Sequence, residues 1–143
     1  MDEQELRNFL SASKQNCRLG TVDDLGDPNV HPVWFFYEPR SDKIYVNTNI
    51  DSRKIANVRR RNTVYFCIDD EVMPVKGVKG KGKAKISENP KDNLSIVEKI
   101  MTKYLGSVDH PTAKFILETV KSGKSVLLEI TPSYFSTWDF GKS

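Results

Sequence analysis

Apolar and polar positions along this chain switch repeatedly between the two periods that secondary structure imposes, about 3.6 residues in helices and two in strands. Behind the acidic start of Asp2 to Ala12, Leu6, Phe9 and Leu10 recur at helical spacing, which predicts a short amphipathic helix lidding one end of the fold. Cys17-Arg18-Leu19-Gly20-Thr21-Val22 alternates as a strand, turn formers crowd Asp23 to Pro28, and a second strand over Val30 to Tyr37 completes a hairpin. That second strand is bulky on both faces, as in a strand covered on two sides. Pro32 cannot donate a ladder bond and so marks an edge, a bulge or the strand's beginning. A ligand lying on the outer face, or a dimer interface over it, would each supply the second covering.

Pro39 to Asp42 turns the chain into another alternating strand, Ile44-Tyr45-Val46-Asn47-Thr48-Asn49, which ends in a polar turn. A helix then opens on Asp51 or Ser52, faces Ile55 and Val58 inward, and closes on Arg59, Arg60 and Arg61, where cations suit the helix dipole. Thr63 to Ile68 is β-branched and aromatic, a buried strand stopped by Asp69-Asp70-Glu71. From Val75 to Ile86, period-two geometry puts Lys79, Lys81, Lys83 and Lys85 on one face and Val78, Gly80, Gly82, Ala84 and Ile86 on the other. Glycines inside a strand suggest a tight barrel bend or close approach by something bulky. The lysines serve as a solvated face protecting the strand.

Asn89 or Pro90 begins a helix with Leu94, Val97, Ile100, Met101, Tyr104 and Leu105 as its apolar stripe, stopped by Gly106. A second helix starts near His110-Pro111 and should bury Phe115, Ile116 and Val120 before Gly123, with His110 as a cap or surface residue. Ser125 to Ile130 is a further strand, and Pro132 leads into Ser133 to Phe140, an aromatic end that must pack on this chain or a partner. The elements describe a mostly β fold with peripheral helices, of the α+β class.

The 143 residues fit one domain spanning 1–143. No apolar run approaches the eighteen or so residues of a membrane span. The acidic Met1-Asp2-Glu3-Gln4-Glu5 lacks the order of a signal peptide, so a cytoplasmic protein with Cys17 and Cys67 as reduced, buried structural thiols is expected. A net charge of +3 is too mild to imply nucleic acid; its clustering at Arg53 to Arg61 and Lys76 to Lys85 is more informative.

Arg53 and Lys54 sit in the first turn of their helix, against the dipole. Free backbone N–H groups, the Ser52 hydroxyl, an Arg fork and a Lys point charge together suit a phosphate, and a solvated basic helix end is the alternative. The usual catalytic parts are missing: two histidines, no Gly-x-Ser-x-Gly, no P-loop, no Rossmann glycine pattern and no spacing of metal ligands. Hydrolytic chemistry is excluded on those grounds, no catalytic side chain is assigned, and any reaction would be supplied by a cofactor that the protein positions.

The residues resemble the pyridoxamine 5'-phosphate oxidase-like flavin-binding split β-barrels over nearly the whole chain. The likeness rests on Leu19-Gly20-Thr21-Val22 followed by Asp23-Asp24-x-Gly26-x-Pro28, on His31-Pro32-Val33-Trp34-Phe35, on Ser52-Arg53-Lys54 with Asn57-Val58-Arg59-Arg60, and on Thr131-Pro132 with Thr137-Trp138-Asp139-Phe140. It implies a six- to seven-stranded antiparallel split barrel that works as a homodimer, with FMN sites at the subunit interface and a small-molecule substrate. Ser52, Arg53 and Lys54 would grip the phosphate, and Val33, Trp34, Phe35 and Phe36 would pass under the isoalloxazine ring. Asn47 and Thr48 would lie near its reactive edge, and Trp138 would reach a flavin held mainly by the other subunit. Pyridoxamine 5'-phosphate oxidases themselves carry further basic residues on the second strand, where this chain reads Trp34-Phe35-Phe36, which sets it apart from vitamin B6 oxidation. A related branch binds the deazaflavin coenzyme F-420, whose acidic tail Lys79, Lys81 and Lys83 could line. The resemblance therefore implies a flavin-dependent oxidoreductase, with a deazaflavin reductase or a non-catalytic flavin carrier as alternatives, and neither nucleic acid nor membrane as partner.

Overall fold

The structure, a computed structural model, describes residues 1–142. Seven strands form one antiparallel sheet: β1 (Cys17–Val22), β2 (Pro28–Val33), β3 (Phe36–Glu38), β4 (Lys43–Asn49), β5 (Thr63–Asp69), β6 (Lys76–Ser87) and β7 (Ser125–Asp139). Four helices accompany it: α1 (Glu3–Ala12), α2 (Arg53–Arg60), α3 (Pro90–Leu105) and α4 (Pro111–Lys121). Among the described residues no helix is long and apolar enough to cross a membrane.

The strand order is β2-β1-β5-β6-β7-β4-β3, so the two edges of the sheet are strands joined to each other by only Trp34 and Phe35. Two residues span less than about 10 Å, which forces the sheet to curl until its edges nearly meet. The result is a split barrel. Sequence periodicity merged β2 and β3 into one strand over Val30 to Tyr37; the structure breaks it in two, because the chain crosses from one edge to the other at that point.

The crossing is closed by α3 rather than by a ladder. Phe35 N–H donates to the Tyr104 hydroxyl at 3.3 Å, Tyr104 donates on to the Gln15 carbonyl at 3.0 Å, and Lys103 Nζ donates to the Phe35 carbonyl at 2.9 Å. The Phe35 side chain is fully buried in the barrel core, while Trp34 stacks on Tyr104 with ring centroids 4.9 Å apart. Lys103 Nζ lies 3.5 Å from the Phe35 ring centroid and has no carboxylate partner among the described residues. Burial pulls its pKa down to about 8 and pushes the Tyr104 hydroxyl up to about 12.

The barrel interior is filled by Leu19, Phe35, Val46, Val64, Phe66, Ile68, Val78, Leu128 and their neighbours. Phe9 and Leu10 of α1 join that cluster near the start of β1, and Ile55 and Val58 of α2 join it near the far end, where Asn57 donates to Thr21 at 3.0 Å. A second cluster forms outside the sheet, where α3 and α4 cover Trp34, Phe36, Tyr45 and Leu127. The double covering of the Trp34–Phe36 stretch thus comes from this chain's own helices. On α4, Ala113 and Val120 are buried and Ile116 is partly so, but Phe115 is 70% exposed, against the sequence expectation; the inward stripe runs 113, 116, 117, 120 and leaves position 115 outside it. Cys17 is buried, whereas Cys67 is only half-buried, since β5 turns it to the outer face.

The glycines of β6 answer to β7. A bulge opposite Lys81 and Gly82 lets β7 keep Pro132 inside a central strand, where a missing N–H is otherwise excluded. There the two backbones close in: a Cβ on Gly80 would meet the Tyr134 carbonyl and, at 2.8 Å, the Phe66 ring, and one on Gly82 would lie 2.5 Å from the Thr131 carbonyl.

Two outcomes follow from this packing. Gly80→Ala should cost roughly 1–3 kcal/mol in urea unfolding, because the nearest obstructing atom is the backbone carbonyl of Tyr134 and the next belong to the packed Phe66 ring. For Lys103 the sign is fixed by the direction of its shift. The unfolded side chain titrates near 10.5 and the folded one near 8, so between those values the unfolded state holds more protons and stability rises with pH. Lys103→Met should therefore show a smaller rise in urea midpoint between pH 8 and 10 than the unaltered protein; equal slopes would refute the buried charge.

Candidate functional site

The polar turn after β4 places the cations. Ser52 caps α2, its Oγ accepting from Ile55 N–H at 3.4 Å and from the Thr48 hydroxyl at 3.2 Å. The N–H groups of Arg53 and Lys54 precede the intrahelical ladder and point out of the helix start. Neither side chain has a carboxylate within salt-bridge distance among the described residues, although six other cations do: Arg7, Arg18, Lys43, Arg59, Lys121 and Lys142. Lys54 is half-buried, and burial alone holds its pKa below the ordinary lysine value. A cation in a desolvated, unpaired position at the positive end of a helix is a vacancy for an anion.

Lys54 borders a cavity of about 290 Å³ lined by Asn16, Pro32, Val33, Trp34, Asn47, Thr48, Ile100, Met101 and Ile116. Its walls are the end of β2, the edge crossing and the end of β4, and α3 and α4 roof it. Asn47 is oriented from behind: its Nδ2 donates to Ser125 Oγ at 3.1 Å and to the Val126 carbonyl at 3.2 Å, and Ser125 in turn shares a hydrogen bond of 2.9 Å with Thr119. Both amide protons are thereby used, which leaves Oδ1 as an acceptor.

Val33, Trp34, Asn47, Thr48 and Lys54 are therefore brought together, with Ser52 one hydrogen bond behind them. Phe35 supports the floor from the barrel interior without facing the cavity, and Phe36 lies under α3, with Lys99 Nζ 5.2 Å from its ring centroid. Arg53 lies on the other side of the helix start, in a groove of about 530 Å³ against the β1–β2 turn, where its charge acts on Asp23. Lys79 and Lys81 are exposed on the outer face of β6, Lys81 with its Nζ 5.9 Å from the Tyr134 ring centroid. Trp138 covers Gly77. Neither Trp138 nor these lysines is among the residues that line the cavity.

Sequence reasoning missed Asn16, Ile100, Met101 and Ile116, and read Pro32 only as an edge, a bulge or the start of a strand. The apolar stripes on α3 and α4 were legible; that part of each stripe roofs a cavity was not.

Compared with known proteins, the chain matches a family model described as Pyridoxamine 5'-phosphate oxidase over residues 2–139. No curated protein matches it by sequence. Among solved structures, a conserved hypothetical protein from Mycobacterium tuberculosis superposes with a TM-score of 0.85 at 24% identity, covering 99% of this chain and 87% of that one. An F-420 reductase does so with a TM-score of 0.70 at 20% identity over 89% and 93% of the two chains. HutZ, the heme storage protein from Vibrio cholerae, gives 0.71 at 16% identity over 96% and 93%. At these identities the likeness is one of fold.

The unpaired lysine makes a prediction that needs no cofactor. Inorganic phosphate should raise the melting temperature of the unaltered protein, the stabilisation reaching about 2.7 kcal/mol at a hundredfold excess over Kd. Lys54→Met should be at least as stable as the unaltered protein in phosphate-free buffer and should lose most of that response. An equal response in both proteins would show that Lys54 holds no anion.

Proposed function

Because this chain belongs to the pyridoxamine 5'-phosphate oxidase family, we propose that it binds FMN at the cavity beside α2 and passes a hydride or electrons between that flavin and a small molecule. The observation that carries this reading is Lys54, half-buried, without a carboxylate, and facing the same cavity as Trp34 and Asn47. In it, Lys54 and the first-turn N–H groups of α2 hold the phosphate, Val33 and Trp34 form the apolar wall for the ring, and Asn47 Oδ1 accepts a hydrogen bond from the ring's polar edge. Ile100, Met101 and Ile116 keep water from that wall. FMN, when bound, supplies the redox chemistry.

The cavity is at the small end of the range of ligand sites, about 300–1,000 Å³, so part of a flavin nucleotide would lie beyond its rim. That supports the homodimeric part of the reading. Trp138 and Lys79 are not among the residues that line the cavity of their own chain, and a second copy in a two-fold arrangement could present them to it. A second reading, coenzyme F-420, is favoured by Lys79, Lys81 and Lys83, which are exposed and without a carboxylate partner among the described residues and would suit an acidic tail.

The test is the absorbance spectrum of the protein as purified, followed by titration with FMN and with coenzyme F-420 monitored by fluorescence. Bound or saturably binding FMN is expected, weakened at least about tenfold by Lys54→Glu, a change of some 1.4 kcal/mol, and less by Arg53→Glu. A colourless protein without saturable FMN binding would overturn the proposal, and saturation by F-420 alone would establish the second reading. Reduction of the bound flavin followed by reoxidation with candidate acceptors separates an enzyme from a carrier.

A further inference from the structure

Behind Asn47 runs a chain of hydrogen bonds whose direction follows from chemistry alone. A carbonyl only accepts, so the amide atom of Asn47 that meets the Val126 carbonyl at 3.2 Å is Nδ2, and the Thr119 hydroxyl that meets the Ile116 carbonyl is a donor. A hydroxyl has one proton to give. Thr119 spends its own on Ile116, so in the 2.9 Å contact between Thr119 and Ser125 it is Ser125 that donates. With its proton used, Ser125 Oγ meets Asn47 Nδ2 at 3.1 Å as an acceptor. The sheet register brings the two together: Asn47 stands opposite Leu127 and Asn49 opposite Ser125, so Asn47 and Ser125 are diagonal neighbours on the face that α3 and α4 cover. Turning the amide over would break both of its hydrogen bonds and set Oδ1 against the Val126 carbonyl, acceptor against acceptor. The chain ends on α4 at Ile116, which also lines the cavity, so one turn of that helix both roofs the cavity and anchors the amide.

We infer that Ser125 and Thr119 are positioning residues, which hold Asn47 as a fixed acceptor toward the cavity and so make the site select a ring edge that presents an N–H. This deepens the reading above and rests on it for the identity of the ligand, though not for the orientation of the amide. An asparagine without such backing serves either sense of partner, because its amide turns to suit. Here the amide is held, and a ring edge carrying only acceptors would leave Oδ1 unpaired against a second lone pair. The imide N–H of a flavin or deazaflavin ring matches it. Neither Ser125 nor Thr119 lines the cavity, so both act through Asn47.

The lock and the ligand are tested separately, on variants checked for folding by circular dichroism. In the ligand-free protein, NMR should show the Asn47 side-chain amide protons exchanging slowly with water, and at least about tenfold faster in Ser125→Ala, as for the loss of one hydrogen bond. Thr119→Val, which keeps the shape and removes the hydroxyl, should move exchange in the same direction, and Thr119→Ser should leave it as in the unaltered protein. Ser125→Ala should also weaken FMN binding roughly tenfold, yet change nothing in an Asn47→Leu background, where no amide remains to be held. A merely structural loss would persist in that background. Asn47 exchange unmoved by Ser125→Ala and Thr119→Val overturns the inference and leaves the flavin reading standing. So does an FMN affinity that ignores Ser125→Ala, or that falls as far in the Asn47→Leu background. Exchange that responds in a protein that takes no FMN upholds the lock and removes the flavin reading. A protein that takes no FMN and whose exchange is unmoved removes both.

Discussion

Everything in this fold depends on the two-residue crossing at Trp34 and Phe35. The sheet's two edges are consecutive in sequence, so the barrel is closed by a covalent link rather than by a last ladder of hydrogen bonds. A link of that kind leaves backbone groups that must find partners elsewhere. Tyr104 and Lys103 provide them, which fixes α3 against the seam. Once α3 is fixed there, Ile100 and Met101 come to roof the gap between the crossing and the end of β4. The cavity is thus a by-product of how the barrel is shut.

The electrostatics have the same origin. Most of the ion pairs, such as Arg18 with Asp69 and Glu71, are partly exposed and contribute little to stability individually. What distinguishes the helix start at Ser52 is that, among the described residues, neither Arg53 nor Lys54 has such a partner. Two cations without a carboxylate partner, Lys54 among them half-buried, make the helix start positive. Asp23 and Asp51 border the groove on the Arg53 side, so the two cations are inequivalent: one faces a partly neutralised groove, the other a cavity whose lining holds no carboxylate.

Much of this was legible in the sequence. The capped start of α2, the inward pair Ile55 and Val58, the Gly106 stop and the lysine face of β6 all follow from local rules, and local rules held. The losses were non-local. Periodicity reads Val30 to Tyr37 as one strand because both halves alternate in the same phase, and only the sheet order shows that they belong to opposite edges. Phe115 fails for a related reason: an apolar residue beside an apolar stripe looks buried until the neighbouring helix fixes the angle of the stripe. Of the candidate site, Lys54 was visible because its place in the first turn of a capped helix marks it, whereas Val33, Trp34, Asn47 and Thr48 were visible only through the resemblance to the family. The roof was invisible, since a stripe of leucine and isoleucine reads alike whether it meets a core or a cavity. Gly80 was legible as a close approach, but not that β7's own bulged backbone makes it.

A half-buried lysine without a partner disfavours the folded state, as do two cations at the positive end of a helix. Selection for stability alone would replace Lys54 with an apolar residue or set a carboxylate against it, as the chain does for Lys43 with Glu129. Keeping the charge exposed to a cavity makes sense if the folded protein spends its time with an anion in place, because the energy lost in the empty state is recovered on binding, in donors already oriented before the ligand arrives.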